Sequence, residues 1–200
     1  PEFLYLMQRS ALNEVQTPAT KSSAAKFPSK VSDFEFASRL AIFLWSSIPD
    51  DELVTLTEKG KLREPAVLSA QLKRMLADRR AQRFTRNFVD QWLDLERMNS
   101  VNHVTDASLK NAMLEEPRAY FDEVLRSNRS VMDFIHSDYA LVNERLASHY
   151  LIPKVYGPDF RRVPITLQMN RGGILTSAAM LTMNSDGKDS HIVKRGVWLM

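Results

Sequence analysis

The stretch Ser32–Trp45, "SDFEFASRLAIFLW", reads as a helix from its first residue. Ser32 stands three residues before Glu35, the capping-box spacing, in which a hydroxyl takes an orphan N–H and the acid reaches back. Val31 and Phe36 are placed to staple that start hydrophobically. Phe36, Leu40, Phe43 and Leu44 then recur on one helical face, which predicts a helix over 33–45.

The same signals repeat outward from this stretch. Pro49 with Asp50, Asp51 and Glu52 marks a second helix start, because proline suits a first turn and acids complement the N-terminal dipole. Gly60 ends that helix, and Pro65 opens another whose Leu68, Leu72, Met75 and Leu76 share a face. A longer helix is predicted from Asp78 to Leu95, with Phe84, Phe88 and Trp92 at every fourth position. These early aromatic faces are expected to form the main core, with Trp92 buried in it. Asp106 to Arg126 is helical, with a kink or restart at Pro117, since a mid-helix proline loses a hydrogen bond.

Ser130 can cap a short helix through Ile135, and "LVNERLASHYL" is helical from Asn143. Only "FRRVPITL", residues 160–167, reads as extended. Arg171-Gly172-Gly173 turns the chain into the helix "ILTSAAMLTM", and Ser190 caps a last helix whose Trp198 is expected in the core. The fold class is therefore all-α, a multi-helix domain with a short extended element near residues 160–167. Residues 1–30 read as the end of a preceding helix plus a linker. Residues 31–150 read as a helical domain, and 151–200 as the start of an adjoining helical domain packed on the first. The chain reads as an excerpt of a longer protein.

Composition narrows the function classes. Hydrophobic residues make up 44% and charged residues 26% of 200 positions, ordinary for a globular chain. The 27 basic residues face 24 acidic ones, so the balance by itself does not indicate nucleic acid. Lys73, Arg74, Arg79, Arg80, Arg83 and Arg86 cluster, but they interleave with Phe84 and Phe88 as a solvated helix face does. There is no cysteine, which removes disulfides, thiol catalysis and thioether haem attachment within this segment. No apolar run approaches the ~20 residues of a membrane span.

The polar residues that could carry chemistry fall in two motifs, "DYALVNERLASHY" and "NSDGKDSHIVKRG". Asp138, Asn143, His149, Arg171, His191, Lys194 and Arg195 are the candidate ligand-binding residues. Asp138 and Glu144 on one motif complement Lys194 and Arg195 on the other, and His149 and His191 would then share a polar cleft. Asp186 and Asp189 are hard oxygen donors and the candidate metal ligands, although Gly187 is misplaced for a helix–loop–helix calcium site. An Asx-rich turn followed by a capped helix accounts for the same residues without a ligand. No nucleophile elbow or zinc-binding histidine pair accompanies the four histidines.

Four segments in order, "FASRLAIFLWSSIPDDEL", "FVDQWLDLERM", "DYALVNERLASHYLIP" and "RRVPITLQMNRGGILTSAAMLTMNSDGKDSHIVKRGVWL", resemble large planctomycete-type proteins that carry cytochrome c modules. In that family they form adjoining helical domains of unknown function. The resemblance implies an exported, periplasmic or cell-surface protein with haem c held in a separate domain and no cofactor in this segment. It implies other domains of the same polypeptide as partners, with a redox partner possible, and a scaffold or interaction role in a redox-associated assembly. The alternative is part of the active site of an oxidoreductase or polymer-degrading enzyme around His149 and His191. The family pattern commonly has glycine where Leu151 follows Tyr150, and often proline where Ile192 stands.

Overall fold

The computed structural model describes residues 31–189 and 191–199. The linker expected before residue 31, the capping role of Ser190, and the side chains of Arg195 and Trp198 lie outside the described residues. The chain divides into two compact units, one ending at Met75 and one beginning at Leu76.

The first unit holds α1 (Asp33–Trp45), α2 (Asp51–Glu58) and most of α3 (Pro65–Ala77). Ser32 caps α1 as its spacing predicts, its Oγ accepting the Glu35 N–H at 3.2 Å. Asp50 caps α2 through the Leu53 N–H at 3.1 Å. The buried stripe of α1 is Ala37, Ala41, Leu44 and Trp45, whereas Phe43 is 59% exposed. Small alanines let this face approach its neighbours closely, and the Trp45 indole N–H donates to the Met75 carbonyl at 3.0 Å. Phe36 sits on the flank under the Arg63 guanidinium, 4.7 Å from its ring centre.

The second unit adds α4 (Gln82–Trp92), α5 (Ala107–Arg126), α6 (Glu144–His149), α7 (Ala178–Met183) and α8 (Ile192–Leu199). Its core joins Val89, Leu93, Leu95, Met98, Met113, Val142, Leu146, Ile174, Ala179 and Met180. The expectation for Trp92 is overturned. Ala81, Thr85, Val89 and Leu93 are buried, while Phe88 is 40% and Trp92 45% exposed. The inward stripe is thus one residue out of phase with the aromatics. The rings lie along its edge, Phe88 5.1 Å from Phe121 and Trp92 5.5 Å from Phe134 between centres. Helix α5 continues through Pro117, which is itself buried.

The extended element is present and has a partner that the sequence reading missed. Strand β1 (Tyr139–Val142) pairs antiparallel with β2 (Arg161–Pro164), Tyr139 opposite Pro164 and Val142 opposite Arg161. All four residues of β1 are buried. An uninterrupted apolar run four residues long has no period-2 alternation to distinguish it from helix. Tyr120 of α5 stacks on Tyr139 with ring centres 5.2 Å apart and planes 6° from parallel, covering one face of the strand. The architecture is all-α with this one small sheet among the described residues.

Candidate functional site

Helices α5, α6 and α7 and the loop 184–189 bring part of the polar set together. A cavity of about 570 Å³ is lined by Asp106, Leu109 and Met113 of the α5 start, His149 of α6, and Leu181 and Thr182 of α7. His103, Ser185, Lys188 and Asp189 complete its rim. Of the residues singled out by sequence, His149 and Asp189 therefore share one cavity. His191 does not line it. A neighbouring cavity of about 600 Å³ takes Asp186 and Lys194, with Arg97 and His103.

The loop itself is closed by its own side chains. Asp186 Oδ1 accepts the N–H groups of Lys188 (2.9 Å) and Asp189 (2.8 Å), and its Oδ2 lies 3.3 Å from His191 Nε2. The Asp189 and Lys188 amides are the leading causes that hold the Asp186 carboxyl down at about 2. Ser185 Oγ accepts from the Gly187 N–H and donates to the Asp189 carbonyl. Gly187 has φ +89°, and a Cβ there would sit 2.6 Å from the His103 Cβ, so only glycine lets the loop lie against His103. Among the described residues no three His, Cys, Asp or Glu side chains converge as a metal-binding group.

The remaining candidates hold the backbone in place. Asn143 caps α6 by accepting the Leu146 N–H at 3.0 Å. Glu144 accepts the Gly157 N–H at 2.7 Å, and the Asp138 carbonyl accepts the Ile165 N–H at 2.9 Å. Arg171 lies over the Tyr150 ring, 3.6 Å from its centre, and donates to the Thr176 carbonyl. Asp106 caps α5 through Leu109 and pairs with Arg145; the Leu109 N–H first, then Arg145, draws its carboxyl below the usual range. Burial first, then Arg171 and Arg145, lowers the His149 pKa and favours the neutral imidazole.

A family model described as PSD4, protein of unknown function (DUF1592), matches residues 31–152, more than half of the chain. The chain belongs to this family. No curated protein and no solved structure matches it. The DUF1592 match takes in Asp138, Asn143 and His149, while Arg171, Asp186, Asp189, His191, Lys194 and Arg195 follow it in sequence.

Within this DUF1592 chain, one group that sequence reasoning missed is the most unusual. Glu116 of α5 is 5% exposed. Its Oε2 accepts the Tyr150 hydroxyl at 2.6 Å and the Ala178 N–H, the first amide of α7, at 2.8 Å. Burial pushes its carboxyl up to about 7, against the opposing pull of Tyr150, Ala178 and Arg171. Its signal was present in the sequence: an acid three residues after Met113 and four before Tyr120, inside the apolar stripe of α5.

Proposed function

We propose that this DUF1592 chain is a helical scaffold or interaction domain of a large exported protein that also carries a cytochrome c module. Its partners are the other domains of the same polypeptide and a redox partner, in the periplasm or at the cell surface. Haem c belongs to the separate module, since thioether attachment needs cysteine and this chain has none. The observation that carries the scaffold role is the use made of the polar residues. Asn143, Glu144, Asp186 and Arg171 each cap, close or brace backbone, instead of converging on one point where a reacting atom could sit.

The single feature that favours the enzyme reading is the cavity shared by His149 and Asp189, whose volume suits a small molecule. One set of measurements on the full-length gene product separates the two. Cell fractionation with a haem-peroxidase stain is expected to place a covalently haem-stained polypeptide outside the cytoplasm. A haem-free cytoplasmic product would overturn the family-based part. The double variant His149→Ala/Asp189→Asn is expected to keep the redox turnover of the full-length protein. A loss of roughly a hundredfold or more in turnover, with haem content intact, would establish the enzyme reading instead.

A further inference from the structure

The cavity of about 600 Å³ in the second unit is walled by cations that the fold leaves unused. Arg97, Asn102 and His103 reach it from the segment after α4, Asp186 from the loop 184–189 and Lys194 from α8. Leu95 and Met98 are buried and anchor the turn Leu95–Ser100, which leaves Arg97 between them at the surface. Gly187, at φ +89°, lets the loop lie against His103, so the two walls meet there.

The charges at this cavity do not cancel. Among the described residues the Lys194 ammonium has no ion pair or hydrogen bond, and Glu144, its expected complement, holds the Gly157 N–H instead. Arg97 meets only Asp94, its Nε 3.8 Å from Oδ2 with both side chains well exposed, a pair that contributes little. The terminal nitrogens of its guanidinium fork are left open. The one acid among the described lining residues, Asp186, is already engaged. Its Oδ1 accepts the Lys188 and Asp189 amides, and its Oδ2 lies 3.3 Å from His191 Nε2.

We propose that this cavity binds a small phosphate monoester, with the phosphate group seated between Arg97 and Lys194. The free polar groups are mainly donors: the Arg97 fork, the Lys194 ammonium and the Asn102 amide nitrogen. They arrive from separate segments, so a tetrahedral dianion with several acceptor oxygens meets more of them than a planar carboxylate does. The volume exceeds what a bare phosphate fills and leaves room for the organic part of an ester. This binding site is independent of the scaffold reading and survives its failure.

Isothermal titration of the chain at fixed ionic strength, with chloride as the balancing anion, tests the site with inorganic phosphate and methyl phosphate. Saturable binding of both at a single site is expected, with a dissociation constant of about 1 mM or tighter. Arg97→Gln and Lys194→Gln should each weaken it roughly tenfold or more, the loss of a charge-assisted hydrogen bond. Lys59→Gln removes a cation that does not line the cavity and should leave the affinity unchanged. Heats no larger than those of chloride, or an equal loss in Lys59→Gln, would overturn the proposal. Binding of inorganic phosphate without methyl phosphate would overturn it too, leaving a site for the free ion. Amide NMR shifts of the unaltered chain need no variant to fold. On adding methyl phosphate they should centre on residues 97–103 and 185–194, and shifts centred elsewhere would count against the site.

Discussion

Leu151 occupies a position that its side chain does not suit. It follows the end of α6 with φ +59° and is 87% exposed, so it bears the left-handed cost without packing in return. The Ile152 N–H reaches back to the Ala147 carbonyl at 2.8 Å, which is why the chain must turn left-handed here to close the helix. A glycine at this place would meet the same demand without strain. Leu151→Gly is therefore expected to stabilise the chain by about 1 kcal/mol, read as a higher urea midpoint at unchanged slope. Gly173 shows the opposite constraint. It has φ +77°, and a Cβ there would fall 2.5 Å from the Ile135 carbonyl oxygen, so this turn is also a close docking of backbone on backbone. Gly173→Ala should cost on the order of 3 kcal/mol, measured the same way.

At the scale of elements, the α4 stripe separates what pattern reading can and cannot see. Phe84, Phe88 and Trp92 recur every fourth residue, and so do Ala81, Thr85, Val89 and Leu93 one position on. Periodicity identified a helix here, though the α-helical part, Gln82–Trp92, is shorter at both ends than the 78–95 expected, and two interleaved stripes of equal period leave its rotation open. The smaller stripe faces inward because α5 packs close against it, and the rings then spread along the seam toward Phe121 and Phe134. Leu93, fully buried, should cost about 2–5 kcal/mol when replaced by alanine, whereas Trp92→Ala should cost less than about 2 kcal/mol. Thermal melts of the two variants side by side test that order; equal losses would put the aromatic stripe back in the core. Strand β1 escaped for a related reason. Its four apolar residues are buried on both sides, so no alternation marks it, while its exposed partner β2 was legible.

At the scale of the whole molecule, the groups with displaced titrations set opposing slopes of stability against pH. Glu116, raised to about 7, contributes stability that is complete below about 4.5 and is lost as pH rises through its folded value, on the order of 3 kcal/mol in all. His149, lowered chiefly by burial, acts the other way: its contribution is present when the ring is neutral and is lost as pH falls below the ordinary histidine range. Asp106, Asp133 and Asp186, all lowered, lose theirs only in acid. Chemical denaturation of Glu116→Gln should therefore show stability at pH 8 equal to or above that of the unaltered chain, with the decline between about pH 5 and pH 7 removed. The sequence by itself determined the helical class, the caps at Ser32 and Ser130, the extended segment around Val163, and the turn at Gly172-Gly173. Each is decided within a few neighbouring residues, by dihedral preference, capping geometry or periodicity, and so is written locally. Only the tertiary structure decided which helix faces turned inward, that β1 was a strand, that His149 and Asp189 lined one cavity while His191 closed on Asp186, and that Glu116 was buried. Those outcomes depend on partners tens of residues away, whose competition for the same interior no local pattern records.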